Sequence, residues 1–143
     1  MLRNSKVGMH EFLSVSELRG TLTAGEFPSS LPFMPKRFFL IKDVPENEVR
    51  GRHAHLKCHQ FLIAVQGSVR VKLYQGDYQE DFELCSSGSG LLIPPMTWGE
   101  QYKYSMDCVL LVFASHIYDK ADYITDFNEF LRLSNNIAPK RAE

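Results

Sequence analysis

The segment Arg50-Gly51-Arg52-His53-Ala54-His55 carries two histidines separated by a single residue. On a β-strand, residues two apart point to the same face, so the two imidazoles would stand side by side over one ligand. Neutral imidazole is both a common metal ligand and a base that titrates near neutral pH. The pair therefore reads either as a metal clip or as a proton-transfer site, and its surroundings must decide.

Several short strands are available to position it. Arg37-Phe38-Phe39-Leu40-Ile41 precedes an acidic turn containing Pro45, and Phe61-Leu62-Ile63-Ala64-Val65 ends at Gly67-Ser68. Val69 to Tyr74 alternates apolar with basic or polar residues before a Gln75-Gly76-Asp77 turn, the pattern of a half-exposed strand. Phe82-Glu83-Leu84, Leu91-Leu92-Ile93 and Val109 to Ala114 add further strands, and short strands between glycine-bearing turns predict an all-β sandwich or barrel. Arg19 to Ala24, followed by Glu26, reads as a hairpin or edge strand of the kind that pairs with a partner chain. From Asp119 to Leu133, Tyr123, Phe127, Phe130 and Leu131 recur at spacings of three and four, which predicts one amphipathic helix packed outside the sheet.

The 143 residues, 44% hydrophobic, suffice for one core and one domain, expected over 1–134 with a polar tail over 135–143. A formal net charge of -1 provides no broad field for nucleic acid or an anionic membrane. Cys58, Cys85 and Cys108 are odd in number and widely spaced, which fits a reducing, cytoplasmic setting better than a disulfide framework. No stretch approaches about 18 apolar residues, so neither secretion nor membrane spanning is expected.

The spacing around the histidines resembles the first cupin motif: His53-x-His55, four residues, Gln60, six residues, Gly67. Gly88, five residues and Pro94 resemble the start of the second. In that pattern Gln60 stands where the acidic metal ligand belongs, and the third histidine falls near Gly99, which has no side chain. Neutral Gln is a poor ligand, and two imidazoles fall short of the three or four protein ligands usual for bound zinc. No metal and no other cofactor is expected. Proton transfer is the reading these residues favour.

A longer ordered match narrows the resemblance. Arg19-Gly20-Thr21-Leu22, Pro32-Phe33, Lys36-Arg37, Arg50-Gly51-x-His53-Ala54-His55, Gln60, Gly67-Ser68, Pro95-x-x-Trp98, Val112-x-Ala114-Ser115 and Tyr118-Asp119-x-Ala121-Asp122-Tyr123-Ile124 are similar to the dTDP-sugar 3,4-ketoisomerases. Cys58 to Val65 and Trp98-Gly99 resemble their WxcM-like branch more closely still. The resemblance implies a metal-free cupin jelly roll, homodimeric, that converts dTDP-4-keto-6-deoxyglucose to its 3-keto form ahead of transamination, in surface-glycan (O-antigen) biosynthesis. His53 would then be the base and His55 its partner, orienting it or shuttling a proton between the sugar oxygens.

The same resemblance suggests substrate contacts. Arg50 or Arg52 could stabilise enediolate or diphosphate charge; alternation turns Arg52 away from the histidines, which favours Arg50, or Arg37 from another strand. Gln60 is expected to face inward, which leaves His59 structural. Trp98 reads as core or as the aromatic wall of a sugar or thymine pocket, and the resemblance favours the pocket.

Two departures stand out. The ketoisomerases carry tyrosines where this chain reads Phe39-Leu40, and a histidine or arginine where it reads Gly99. With that group missing, reprotonation would fall to Glu100, Tyr102, water or His55, and the stereochemistry at C4 is open. Two competing readings remain: a non-catalytic nucleotide-sugar-binding module partnering a transferase, and a metal-dependent cupin enzyme.

Overall fold

The computed structural model describes residues 6–85 and 87–137. Two five-stranded antiparallel sheets face each other, with one helix outside, which is the jelly roll expected. The first sheet comprises β1 (Gly8–Glu11), β4 (Arg37–Lys42), β6 (Gln60–Gln66), β9 (Ser89–Ile93) and β11 (Val109–Ala114), in the order β1-β9-β6-β11-β4. The second contains β5 (Arg50–His55), β7 (Val69–Gln75), β8 (Tyr78–Leu84), β10 (Trp98–Tyr102) and β12 (Tyr123–Ile124), in the order β12-β5-β10-β7-β8. A separate hairpin pairs β2 (Leu13–Glu17) with β3 (Gly20–Ala24).

Strand alternation builds the interior. Leu62, Ala64, Leu91, Ile93, Leu110 and Val112 of the first sheet meet Val69, Val71, Leu73 and Leu84 of the second. Each such fully buried aliphatic side chain stabilises the fold by about 1.5–3 kcal/mol. Phe39 and Ile41 pack on the same cluster, so Arg37, two residues before Phe39 on β4, shares the inward face. β6 is apolar on both sides because its other face, Phe61 and Ile63, lies under Leu31 and Leu92.

The second sheet buries its outer face as well. Ala54, Trp98 and Ile124 pack against Phe130 of α1 (Phe127–Ile137), together with Phe127 and Leu131. Since Ala54 faces the helix, its neighbours His53 and His55 face the interior.

The C-terminal segment departs from the single helix expected over Asp119 to Leu133. Asp119 accepts from the Ala121 backbone N–H and caps a 3₁₀ turn over Lys120–Asp122. Tyr123 and Ile124 then pair with His55 and Ala54. The α-helix starts only after Asp126, whose carboxylate accepts from Asn128 and Glu129 N–H as an N-cap. It continues through Ile137, three residues into the stretch expected to be tail. Two aspartate caps thus split one periodic pattern into a turn, a strand and a helix, and they move Tyr123 from a helix face to the edge of the interior.

Candidate active site

A bulge shapes the strand that carries the histidines. Gly99 of β10 pairs with His53 while its neighbour Glu100 pairs with Gly51, so Arg52 is the extra residue. Gly51 and Arg52 both adopt positive φ, 86° and 55°. A Cβ at Gly51 would lie 3.0 Å from the Gly99 carbonyl oxygen, so both conformation and space call for glycine.

Downstream of the bulge the two imidazoles stand edge to face, with centroids 5.0 Å apart. Tyr123 covers both, at 5.0 Å from His53 and 4.4 Å from His55. Tyr118 continues the aromatic wall, 5.6 Å from Tyr123.

Each imidazole is tied through Nδ1. His53 Nδ1 lies 3.0 Å from the Gly51 carbonyl, and His55 Nδ1 lies 2.9 Å from Asp122 Oδ2. A carbonyl and a carboxylate only accept, so both Nδ1 atoms carry the proton and both Nε2 atoms present a lone pair. His55 Nε2 is buried with no partner. Arg37 Nε is likewise buried and unpartnered, and its guanidinium lies 5.5 Å from the Phe39 ring and 5.7 Å from that of Tyr118. Buried groups left in this condition are rare and mark where a polar ligand would complete the set.

Electrostatics keep the pair neutral. Burial pushes His55 down to about 4, assisted by the charge of His53 and opposed by Asp122. Burial lowers His53 too; its bond to the Gly51 carbonyl opposes that, and the Arg37 cation adds to it. At neutral pH the site therefore offers two bare basic nitrogens beside a fixed positive charge.

The other expected site residues are placed as follows. Gln60 is buried and shares the inward face of Leu62 and Ala64. Arg50 and Arg52 are exposed, so Arg37 is the arginine whose charge reaches both histidines. Trp98 lies outside the barrel, packed on Phe127 and Phe130, and its indole N–H donates to Glu100 Oε2 at 3.0 Å. Tyr102 donates to Asp81 on the same outer face, beneath the ammonium of Lys72. β10 turns Gly99 and Gln101 inward, and Trp98, Glu100 and Tyr102, expected to contact substrate, to the opposite face. Sequence reasoning missed Asp122, Tyr123 and Tyr118, although all three sit in the segment that carried the family resemblance.

The residues do not fit a metal cupin. Gly99 faces His53 where a ligand would be needed, and Gln60 is neutral. His55, Cys58 and Asp122 do place ligand atoms within 4.8 Å of one another. Those donors are already committed, because the Asp122 carboxylate accepts from His55 Nδ1, Lys57 N and Cys58 N.

Comparison with known proteins agrees with this geometry. The family model described as FdtA, WxcM-like, C-terminal, matches residues 5–135. The chain belongs to this family. A TDP-4-oxo-6-deoxy-alpha-D-glucose-3,4-oxoisomerase from Aneurinibacillus thermoaerophilus is 40% identical over 119 residues, which is 83% of this chain and 86% of that protein. Among solved structures, a histidine-to-asparagine variant of the 3,4-ketoisomerase QdtA from Thermoanaerobacterium thermosaccharolyticum, in complex with TDP-4-keto-6-deoxyglucose, is 35% identical with a TM-score of 0.89. The match covers 96% of this chain and 98% of that one. WlaRA, a TDP-fucose-3,4-ketoisomerase from Campylobacter jejuni, is 32% identical with a TM-score of 0.85, over 92% and 97% of the two chains. Within this WxcM-like family, the described residues include no helix long and apolar enough to cross a membrane.

Proposed function

We propose that this protein is a 3,4-ketoisomerase acting on a TDP-4-keto-6-deoxy sugar, with His53 and His55 carrying the protons. The observation that carries this reading is the pair of inward imidazoles with both Nε2 lone pairs free, beside the buried, unpartnered Arg37 Nε.

Moving the carbonyl from C4 to C3 transfers one proton between carbons and one between oxygens. His53 Nε2 takes the C3 proton, and the electron pair forms C3=C4 while C4–O becomes an enediolate oxygen. Arg37 stabilises that negative charge. His55 Nε2 then takes the O3 proton and delivers it to O4 as C3=O forms, and the C3=C4 electrons recover a proton at C4 from His53. The enzyme ends unchanged. The 3-keto product would feed transamination to a 3-amino sugar of a surface glycan.

A homodimer accounts for apolar surface the single chain leaves open. The β2–β3 hairpin projects Leu13 and Leu22, 72% and 68% exposed, and the edge strand β4 shows Phe38 at 65%. A second copy seated there would remove these side chains from water.

The test is incubation with TDP-4-keto-6-deoxyglucose in deuterium oxide, followed by NMR at C3 and C4. Deuterium should enter at C3 and the 3-keto sugar should appear, and His53→Asn should abolish both. Binding without exchange would instead identify a non-catalytic sugar-nucleotide module.

A further inference from the structure

We infer that Asp122 is a positioning residue for the proposed isomerisation: it fixes the tautomer of His55 and supports the charge that histidine acquires while it carries a proton between the sugar oxygens. The inference rests on the ketoisomerase reading for its kinetic consequences but not for its structural one.

Asp122 is half-buried at the end of the 3₁₀ turn, and its carboxylate gathers three N–H donors from one short stretch of chain. Oδ2 lies 2.9 Å from His55 Nδ1 and 3.3 Å from Cys58 N, and Oδ1 lies 2.8 Å from Lys57 N. The backbone contributes as well, because Leu56 N donates to the Asp122 carbonyl at 2.9 Å and Met96 N donates to the His55 carbonyl at 2.7 Å. The imidazole and the turn after β5 are thus held by Asp122, and the β9–β10 connection is tied to the His55 backbone.

Two consequences follow. A carboxylate accepts and cannot donate, so the Nε2–H tautomer of His55 would lose its bond to Asp122 and leave a buried lone pair facing a negative oxygen. Nε2 therefore begins each turnover as an acceptor aimed inward, as removal of the O3 proton requires. When Nε2 takes that proton, the new imidazolium lies against the Asp122 anion at 2.9 Å, whereas His53 has only a backbone carbonyl behind it. The asymmetry assigns the oxygen-to-oxygen shuttle to His55 and the carbon proton to His53.

Asp122→Asn and Asp122→Ala test both consequences, one by reversing the partner's hydrogen-bond role and the other by removing the partner. In Asn the amide keeps its oxygen on the Lys57 N–H and turns its NH2 to His55 Nδ1, because the opposite orientation would set two donors against each other; the charge is lost and the Nε2–H tautomer is imposed. In Ala nothing holds Nδ1, and neither tautomer is imposed. For wild type, ¹⁵N NMR of His55 at pH 7 should show Nδ1 protonated; Asn should move the proton to Nε2 and Ala should show a mixture. With TDP-4-keto-6-deoxyglucose, kcat for isomerisation should fall about a hundredfold or more in Asn, which holds the wrong tautomer, and about tenfold in Ala, with KM changed less than about threefold. Exchange at C3, which needs only His53, should fall much less than isomerisation. The acid limb of kcat should move to lower pH in Asn, because the charge that raises His55 is gone.

An Nε2-protonated His55 in the wild type, or wild-type kcat in both folded variants, would overturn the inference. So would equal losses in exchange and isomerisation. If the wild type turned nothing over, the ketoisomerase reading would fail by itself, and the NMR signature would still decide whether Asp122 sets the tautomer.

Discussion

His55 makes the folded protein sensitive to acid in a way that can be calculated from its surroundings. Free imidazole titrates at 6.5, whereas burial, with His53 beside it, holds His55 down to about 4. At about 1.4 kcal/mol for each pH unit, that drop corresponds to about 3 kcal/mol. The sign follows from proton binding. Between pH 6.5 and 4 the unfolded chain protonates this histidine while the native chain does not, so acid favours unfolding and stability rises with pH through that window. Above pH 6.5 both states are neutral and the contribution is flat.

The perturbation that isolates it is His55→Asn, which removes the titrating ring and keeps a side chain able to meet Asp122. Urea denaturation should be followed at half-unit intervals from pH 4 to 8 for both proteins. The stability of wild type relative to the variant should fall by about 3 kcal/mol from pH 7 to 4, with nearly one extra proton taken up on unfolding near pH 5. Parallel pH profiles would refute the reasoning, because they would mean that His55 titrates in the native state as it does in water.

Other predictions address the site and its scaffold. Arg37→Met should lower kcat/KM for the TDP-keto sugar by about tenfold to a hundredfold, as expected for loss of a charge-assisted bond, without lowering the melting temperature, since it also deletes a buried donor that has no protein partner. Phe130→Ala should cost about 3–5 kcal/mol by chemical denaturation, because the fully buried ring fills the space between α1 and Trp98. Gly67→Ala should cost about 1–3 kcal/mol: φ is 70°, and the new Cβ would fall 2.8 Å from the Cys108 Cα.

The sequence reading succeeded where a period of two had a buried face to answer to. The strands and the shared face of His53 and His55 follow from alternation over a sandwich core, and the inward turn of Gln60 was expected from the cupin spacing. It failed where local capping overrode periodicity. Tyr123, Phe127, Phe130 and Leu131 have helical spacing, but Asp119 and Asp126 cap separate elements and reserve Tyr123 for the strand beside His55. Both aspartates precede the turns they cap and were legible as cap signals. Trp98 failed for another reason: its strand is buried on both faces, by the core and by α1, so a large apolar residue fits either side equally well. The bulge at Arg52 is invisible to a strict count of two, and it sets which arginines share the histidine face.

The strand that presents both imidazoles also makes them unequal, and the inequality suits the proposed chemistry. In the proposed mechanism the carbon-bound proton, the harder one to remove, goes to the less buried His53, which is held by a backbone carbonyl. A shuttle between two oxygens has the opposite requirement, since it must release the proton as readily as it takes it. A histidine held to about 4 cannot keep a proton at neutral pH, and a carboxylate behind it lowers the cost of holding one for the duration of the transfer. In the proposed shuttle, burial sets how quickly His55 must let go, and Asp122 sets how easily it can accept. Strengthening either alone would slow the cycle: a drier pocket without Asp122 would make the imidazolium too costly to form, and Asp122 in a wetter pocket would leave His55 charged and idle.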